Sequence, residues 1–251
     1  MSASDPAIVD GIALGYFLAC WIGFGRFSLW RSRSSHGLVA ALRVFRRQWV
    51  ECLCRRENHQ ADATILGNLV RGALFFASTT VLILGGLFAL LGTTQKVIEV
   101  VAQLPFTGPL SVWLSEAKAL LLIYIFVYAF FKFTWSAWQY NALSIVVGAA
   151  PEPGAARSAC APYVACAAEI ASLAGESFNH GIRAYYFSMA AMTWFLHPLA
   201  LVVAATWVAC VLYRREFASP MLDALLGQTG ADLEVAQRFP IGKSPPNQTG
   251  P

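Results

Sequence analysis

Three groups of polar side chains stand beside long apolar stretches of this sequence, and their types are those that bind anions. Each group combines a basic residue with at least one side-chain amide. The groups are Asn68 and Arg71; Lys132, Gln139 and Asn141; and Glu176, Asn179, His180 and Arg183. Cations beside amides suit an anionic ligand or a lipid headgroup. The alternative interpretation is that these residues are solvated or cap helix ends.

A metal site is a second chemical interpretation of the same residues. Glu176 and His180 are four residues apart and share one face of a helix, and Glu57 with His59 would complete a coordination shell. The Glu-x-x-His pair and the His-Glu-x-x-His motif, which are typical of metal sites on helices, are absent from the sequence. Phosphate-binding loops, nucleophile elbows and zinc signatures are absent as well. We therefore expect no metal, no cofactor and a non-enzymatic protein.

Polar residues inside the apolar stretches indicate a different function. Ser78, Thr79 and Thr80 are consecutive hydroxyls, and His197 precedes Pro198 in the last apolar stretch. Hydroxyls in a membrane helix usually bond back to its own carbonyls, and proton conduction usually needs more than one ionisable group. A small-solute transporter or channel is the alternative that these residues leave open.

The composition requires a membrane environment for the elements that carry these residues. Of 251 residues, 57% are hydrophobic and 13% are charged, about half the charge of an average soluble domain. About 20 apolar residues cross a bilayer. Four stretches satisfy this length and predict membrane spans at about 11–30, 72–91, 112–135 and 184–213.

The basic residues predict how these spans are oriented. The connection between the first two spans is rich in arginine, as the cytoplasmic sides of membrane proteins are. Both large connections are therefore predicted to be cytoplasmic, with the N-terminus outside, as in a bacterial inner (plasma) membrane protein. Arg214 and Arg215 oppose this trend, because four spans place them outside.

The connections themselves are predicted to be helical. Leu38, Leu42, Phe45, Trp49 and Leu53 recur at spacings near four, which is typical of an amphipathic helix. Cytoplasmic helical segments are expected at about 37–66 and 157–180. The fold class is thus an all-α, four-transmembrane-helix bundle with cytoplasmic amphipathic helices, forming a single membrane domain over 1–220. The tail, 221–251, is predicted to end in disorder.

Several short motifs lie at the ends of the predicted spans. They are Phe75-Phe-Ala-Ser-Thr-Thr80, Lys132-Phe-Thr-Trp-Ser136, Gly148-Ala-Ala-Pro151, Asn179-His-Gly-Ile-Arg-Ala-Tyr-Tyr186 and Tyr213-Arg-Arg-Glu-Phe217. In this order the sequence resembles the membrane protein family catalogued as domain of unknown function 599, over roughly residues 10–220. The resemblance implies a multi-span membrane protein and no known reaction, ligand or partner.

The leading functional hypothesis is a membrane protein that acts through lipid, partner or self-association at its cytoplasmic face. Its expected partners are the bilayer, anionic inner-leaflet lipids and a homo-oligomer or other membrane protein. Nucleic acid is not expected, since a net charge of +4 and the adjacent spans favour membrane electrostatics. The transporter or channel is the second hypothesis, and a metal-dependent membrane enzyme is the third.

Overall fold

A computed structural model describes residues 6–32, 37–92 and 112–227. These residues form six long α-helices: α1 (Pro6–Ser32), α2 (Leu38–Leu53), α3 (Gln60–Leu91), α4 (Val112–Gly148), α5 (Arg157–Met192) and α6 (Pro198–Phe217). A 3₁₀ turn, Thr193–Phe195, joins α5 to α6, and residues 220–227 are again helical. The predicted tail lies largely outside the described residues.

Four segments have the length and apolar composition needed to cross a bilayer. They are Ile8–Ser28, Gln60–Leu91, Val112–Gly148 and Pro198–Gly227. Large apolar side chains on these segments stand exposed, with Leu82 78% and Ile12 69% accessible. Hydrocarbon side chains this exposed require an apolar solvent. The predicted all-helical membrane fold is therefore confirmed.

The helices run between two ends of one bundle. At the first, here called the Asp10 end, Asp10 of α1 meets Lys118 of α4 and Trp194. At the second, called the Arg183 end, Ser28 of α1 lies beside Arg183 of α5. Asp10 and Ser28 are about 27 Å apart along α1 at the helical rise. This length is close to the roughly 30 Å thickness of bilayer hydrocarbon.

The predicted last span, 184–213, is not a single helix. Proline lacks the N–H that would continue α5, so the chain turns back and Pro198 begins α6 instead. His197 caps the new helix, its Nδ1 accepting from the Leu199 N–H at 3.1 Å. The sequence predicts one span here because both sides of Pro198 are apolar.

This reversal changes where the chain ends. Tyr16 contacts Thr206 at 2.8 Å, and further along both helices Ser28 contacts Glu216, so α1 and α6 run parallel. The C-terminus of α6 therefore lies at the Arg183 end, opposite to the placement predicted from four spans. Arg214 and Arg215 lie at the same end as the arginine-rich connection. They therefore no longer oppose the rule that basic residues gather on one side of the membrane.

The helices also extend beyond the predicted spans. The predicted segment 37–66 is divided, because α2 ends at Leu53 and α3 begins at Gln60, where the Asn58 side chain accepts from the Gln60 N–H at 2.8 Å. α3, α4 and α5 each continue past the Arg183 end. Together with α2 they enclose a second hydrophobic core, whose centre includes Leu53, Leu66 and Leu143. This second core lies outside the layer between the two ends.

Candidate functional site

A buried ion pair lies at the Arg183 end, where α1, α5 and α6 meet. The Arg183 guanidinium donates to Glu216 at 2.6 Å and to the Ser28 hydroxyl at 2.7 Å. Ser28 in turn donates to the other carboxylate oxygen of Glu216. Both charged side chains are only about a tenth exposed, and Arg183 also lies 5.4 Å from the centre of the Phe24 ring. A charge pair at this depth is stable only because each partner is neutralised and hydrogen-bonded.

A cavity of about 360 Å³ opens beside this pair, between α1, α4 and α5. Its apolar wall includes Leu18, Trp21, Ile22, Phe24 and Phe187, all within the layer between the two ends. Tyr124, Tyr128, Arg26, His180 and Arg183 form its polar lining. An apolar slot with charged groups at one end has the shape of a site for an amphiphile.

Two cations beside this cavity are not neutralised by an acid among the described residues. The Arg26 side chain is exposed on α1 and lines the cavity. Lys132 holds its ammonium group 5.6 Å from the centre of the Tyr128 ring. Burial, followed by the charges of Arg183 and Lys132, lowers the pKa of His180 to about 4. His180 is therefore neutral at pH 7, and the positive charge resides on the lysine and arginines.

A second cavity, of about 320 Å³, lies on the other side of the ion pair, between α2, α5 and α6. Leu38, Leu42 and Met221 contribute apolar surface, and Arg215 contributes a cation. Arg183 lines both cavities. The Arg183–Glu216 pair thus stands between two partly apolar cavities at the same end of the bundle.

The structure brings together only some of the residues predicted to form one anion-binding cluster. Glu176, Asn179, His180 and Arg183 line one small cavity at the ion pair. Glu176 pairs with Arg43 of α2 at 2.5 Å, while Gln139 is buried and accepts from Ser177 at 2.9 Å. The remaining residues lie elsewhere: Lys132 contacts the ring of Tyr128, which lines the first cavity, and Asn68, Arg71 and Asn141 lie along α3 and α4.

Three residues of the site were not selected from the sequence: Arg26, Ser28 and Glu216. Ser28 and Arg26 lie inside or at the edge of an apolar stretch, where single polar residues carry little signal. Glu216 was present in the motif Tyr213–Phe217, and Arg183 in the motif Asn179–Tyr186. The pairing of these two motifs was the available signal, but the predicted topology placed them on opposite sides of the membrane.

Two of the three hydroxyls that indicated a transport path, those of Thr79 and Thr80, form hydrogen bonds within the bundle, and Ser78 is exposed. Thr79 and Thr80 donate to the carbonyls of Phe75 and Phe76 at 2.9 and 2.6 Å, and Thr80 also contacts the Tyr185 hydroxyl at 2.8 Å. His197 is an exposed helix cap. Among the described residues no group of three or more His, Cys, Asp or Glu side chains is placed to hold a metal ion.

A second buried ion pair holds the Asp10 end together. Asp10 lies 3.4 Å from Lys118 and accepts from the Trp194 indole N–H at 2.6 Å, while Lys118 donates to the Trp194 carbonyl at 3.0 Å. α1 is therefore fixed to the rest of the bundle by charged contacts at both ends. These contacts fix the wall that α1 contributes to the first cavity.

The comparisons with known proteins identify the family alone. No curated protein and no solved structure matches the chain. One family model, described as Protein of unknown function, DUF599, matches residues 12–221. This range begins within α1 and ends beyond α6, so it includes all of α2, α3, α4, α5 and α6. Since the match covers most of the chain, this membrane protein belongs to the DUF599 family.

Proposed function

We propose that this protein binds an anionic membrane lipid at the Arg183 end and acts without catalysing a reaction. The observation that carries the proposal is the cavity of about 360 Å³, which is apolar within the bundle and cationic at its end. A lipid has the same division, with an apolar chain and a charged headgroup. The cavity adjoins helices that have the composition of membrane spans.

Each part of the cavity has a role in this proposal. The acyl chain would lie against Trp21 and Phe187, and the headgroup would meet Arg26 and Lys132. Arg183 is already neutralised by Glu216, so its role would be to position the cavity wall. Tyr124 and Tyr128 are suited to the boundary between chain and headgroup, where aromatic residues with a polar end are favoured.

The orientation that accompanies this proposal keeps the N-terminus outside and places the Arg183 end in the cytoplasm, in a bacterial inner (plasma) membrane. The apolar layer is then crossed five times, by α1, α3, α4, the C-terminal part of α5, and α6. The inner leaflet is where anionic lipids attract basic residues most strongly. The cations of the cavity, of the first connection and of α6 would all face that leaflet.

Replacing both cavity cations is expected to weaken anionic lipid binding. Each cation contributes on the order of 1 kcal/mol near an anionic surface, so Arg26→Gln/Lys132→Gln should bind phosphatidylglycerol about 30-fold more weakly. The measurement is lipid retention by native mass spectrometry of protein released from mixed nanodiscs. Arg47→Gln/Arg55→Gln is the matched control, because it removes equal charge from exposed residues that do not line the cavity. An equal loss in both variants would refute the site.

Labelling from each side of the membrane tests the orientation of α6. In a background without the native cysteines, Glu57→Cys and Ala218→Cys should react with an impermeant maleimide from the same side, because both lie towards the Arg183 end. Trp113→Cys, which is exposed at the start of α4, should react from the opposite side. If Ala218→Cys instead reacts together with Trp113→Cys, the five-crossing arrangement is wrong.

A further inference from the structure

A separate groove of about 440 Å³ runs between α3 and α4, beside the second hydrophobic core. It is remote from the ion pair: its lining includes none of the residues that line the two cavities at Arg183. Its polar lining consists of His59, Arg71, Asn141 and Ser144. Two glycines, Gly67 and Gly148, leave room along it.

One end of the groove carries a cation with adjacent hydrogen-bonding groups. The Arg71 guanidinium donates to the Asn68 side chain at 2.7 Å and to the Gly67 carbonyl at 3.2 Å, which directs it back along α3. Among the described residues it forms no ion pair with an acid. A guanidinium in a groove that is also lined by the Asn141 amide and the Ser144 hydroxyl matches the several oxygens of a phosphate group.

The other end holds a histidine backed by a fully buried carboxylate. Asp62 is 0% exposed, and one of its oxygens accepts from Trp49 at 2.7 Å and from Arg56 at 2.8 Å. Its second oxygen lies 3.6 Å from His59 Nδ1, and within the part of the chain that the structure describes neither of these two buried atoms has a hydrogen-bond partner. The side of the His59 ring that lines the groove is therefore the one that carries Nε2.

This arrangement gives the two ends complementary chemistry. A carboxylate behind Nδ1 favours a proton on that nitrogen and leaves Nε2 as a hydrogen-bond acceptor. His59 and Gly67, the residue beside the Arg71 guanidinium, are about 12 Å apart along the helix. The groove thus offers an anion site and an acceptor site at a separation that a small phosphate monoester spans.

We propose that this groove binds a phosphate monoester, with the phosphate at Arg71 and a hydrogen-bond donor of the same molecule at His59. The phosphate belongs either to a soluble molecule or to a lipid headgroup, and the test has an arm for each source. The site is independent of lipid binding at Arg26 and Lys132, so either proposal can fail alone.

The test is the rate at which diethyl pyrocarbonate modifies His59, measured by peptide mass spectrometry on the full chain in phosphatidylcholine nanodiscs. Adenosine 5′-monophosphate is the soluble probe, and adenosine is its control without phosphate. We expect the monophosphate to slow the modification of His59 about tenfold at ten times its half-saturating concentration. Adenosine should leave the rate unchanged, and His197, exposed at the other end of the bundle, should be unaffected by either.

Two variants connect the protection to Arg71. Arg71→Gln should abolish protection of His59, whereas Arg55→Gln, an exposed arginine outside the groove, should retain it. In nanodiscs containing phosphatidic acid, protection without any soluble probe would assign the phosphate to a lipid. The proposal is overturned if neither the monophosphate nor phosphatidic acid protects His59, or if protection persists in Arg71→Gln.

Discussion

Glu216→Ala is expected to lower the free energy of unfolding by about 3–5 kcal/mol, the cost of leaving a buried charge without its partner. The reason is the position of Arg183, whose side chain is 11% exposed and whose guanidinium bonds both Glu216 and Ser28. With the carboxylate removed, the guanidinium keeps its charge and retains its contacts with the Ser28 hydroxyl and the Phe24 ring, neither of which carries a compensating negative charge. The measurement is equilibrium unfolding in mixed micelles.

Two further variants distinguish an unpaired charge from simple loss of packing. Arg183→Met/Glu216→Met removes both charges and should recover most of the lost stability, because an apolar pair needs no compensation. Glu51→Ala removes a carboxylate from an exposed pair with Arg47 and should change stability by less than about 1 kcal/mol. If the double variant is as unstable as Glu216→Ala, the buried charge is not the cause.

Gly181→Val is expected to destabilise the protein by about 3 kcal/mol, at the upper end of the cost of overpacking a core. A Cβ atom at Gly181 would lie 2.6 Å from the Phe133 ring. That ring is fully buried and cannot move aside, because it packs between two other rings. Its centroid lies 5.2 Å from that of Phe76 and 5.5 Å from that of Phe178. The same unfolding measurement checks the prediction.

Gly86→Val is the matched control for this substitution. Gly86 is also inside a long helix, but a Cβ atom there meets nothing within 4 Å. We therefore expect a change within about 0.5 kcal/mol, as for other exposed substitutions. Equal destabilisation of the two variants would mean that valine disturbs the helices themselves, and the close contact between Gly181 and Phe133 would then have no special importance.

The membrane fold was predictable because hydropathy is a local property. Runs such as Gly72–Leu91 lack charge over the length at which a helix crosses a bilayer, and a helix satisfies every backbone hydrogen bond within the segment itself. The amphipathic pattern of residues 38–53 is likewise local, and α2 forms over those residues. The family motifs required only the order of short sequences along the chain.

The candidate site was predicted only in part. Glu176, Asn179, His180 and Arg183 are polar residues at the edge of an apolar stretch, and the structure places all four in the lining of one small cavity at the ion pair. Which of the selected polar residues lie together was not predictable, because residues close in sequence point in different directions around a helix. Gln139 and Lys132 are on the same helix, yet the first is buried against Ser177 and the second contacts the Tyr128 ring.

By itself, the sequence determined that this is a helical membrane protein with a basic face, since composition and span length follow from residue types alone. Only the tertiary structure decided that the chain reverses at Pro198, that α6 ends beside Arg183, and that Glu216 neutralises that arginine. The physical reason is that one continuous apolar helix and two antiparallel apolar helices joined by a turn have the same hydropathy profile along the sequence. Direction is set by helix packing and by the pairing of charges that are 33 residues apart.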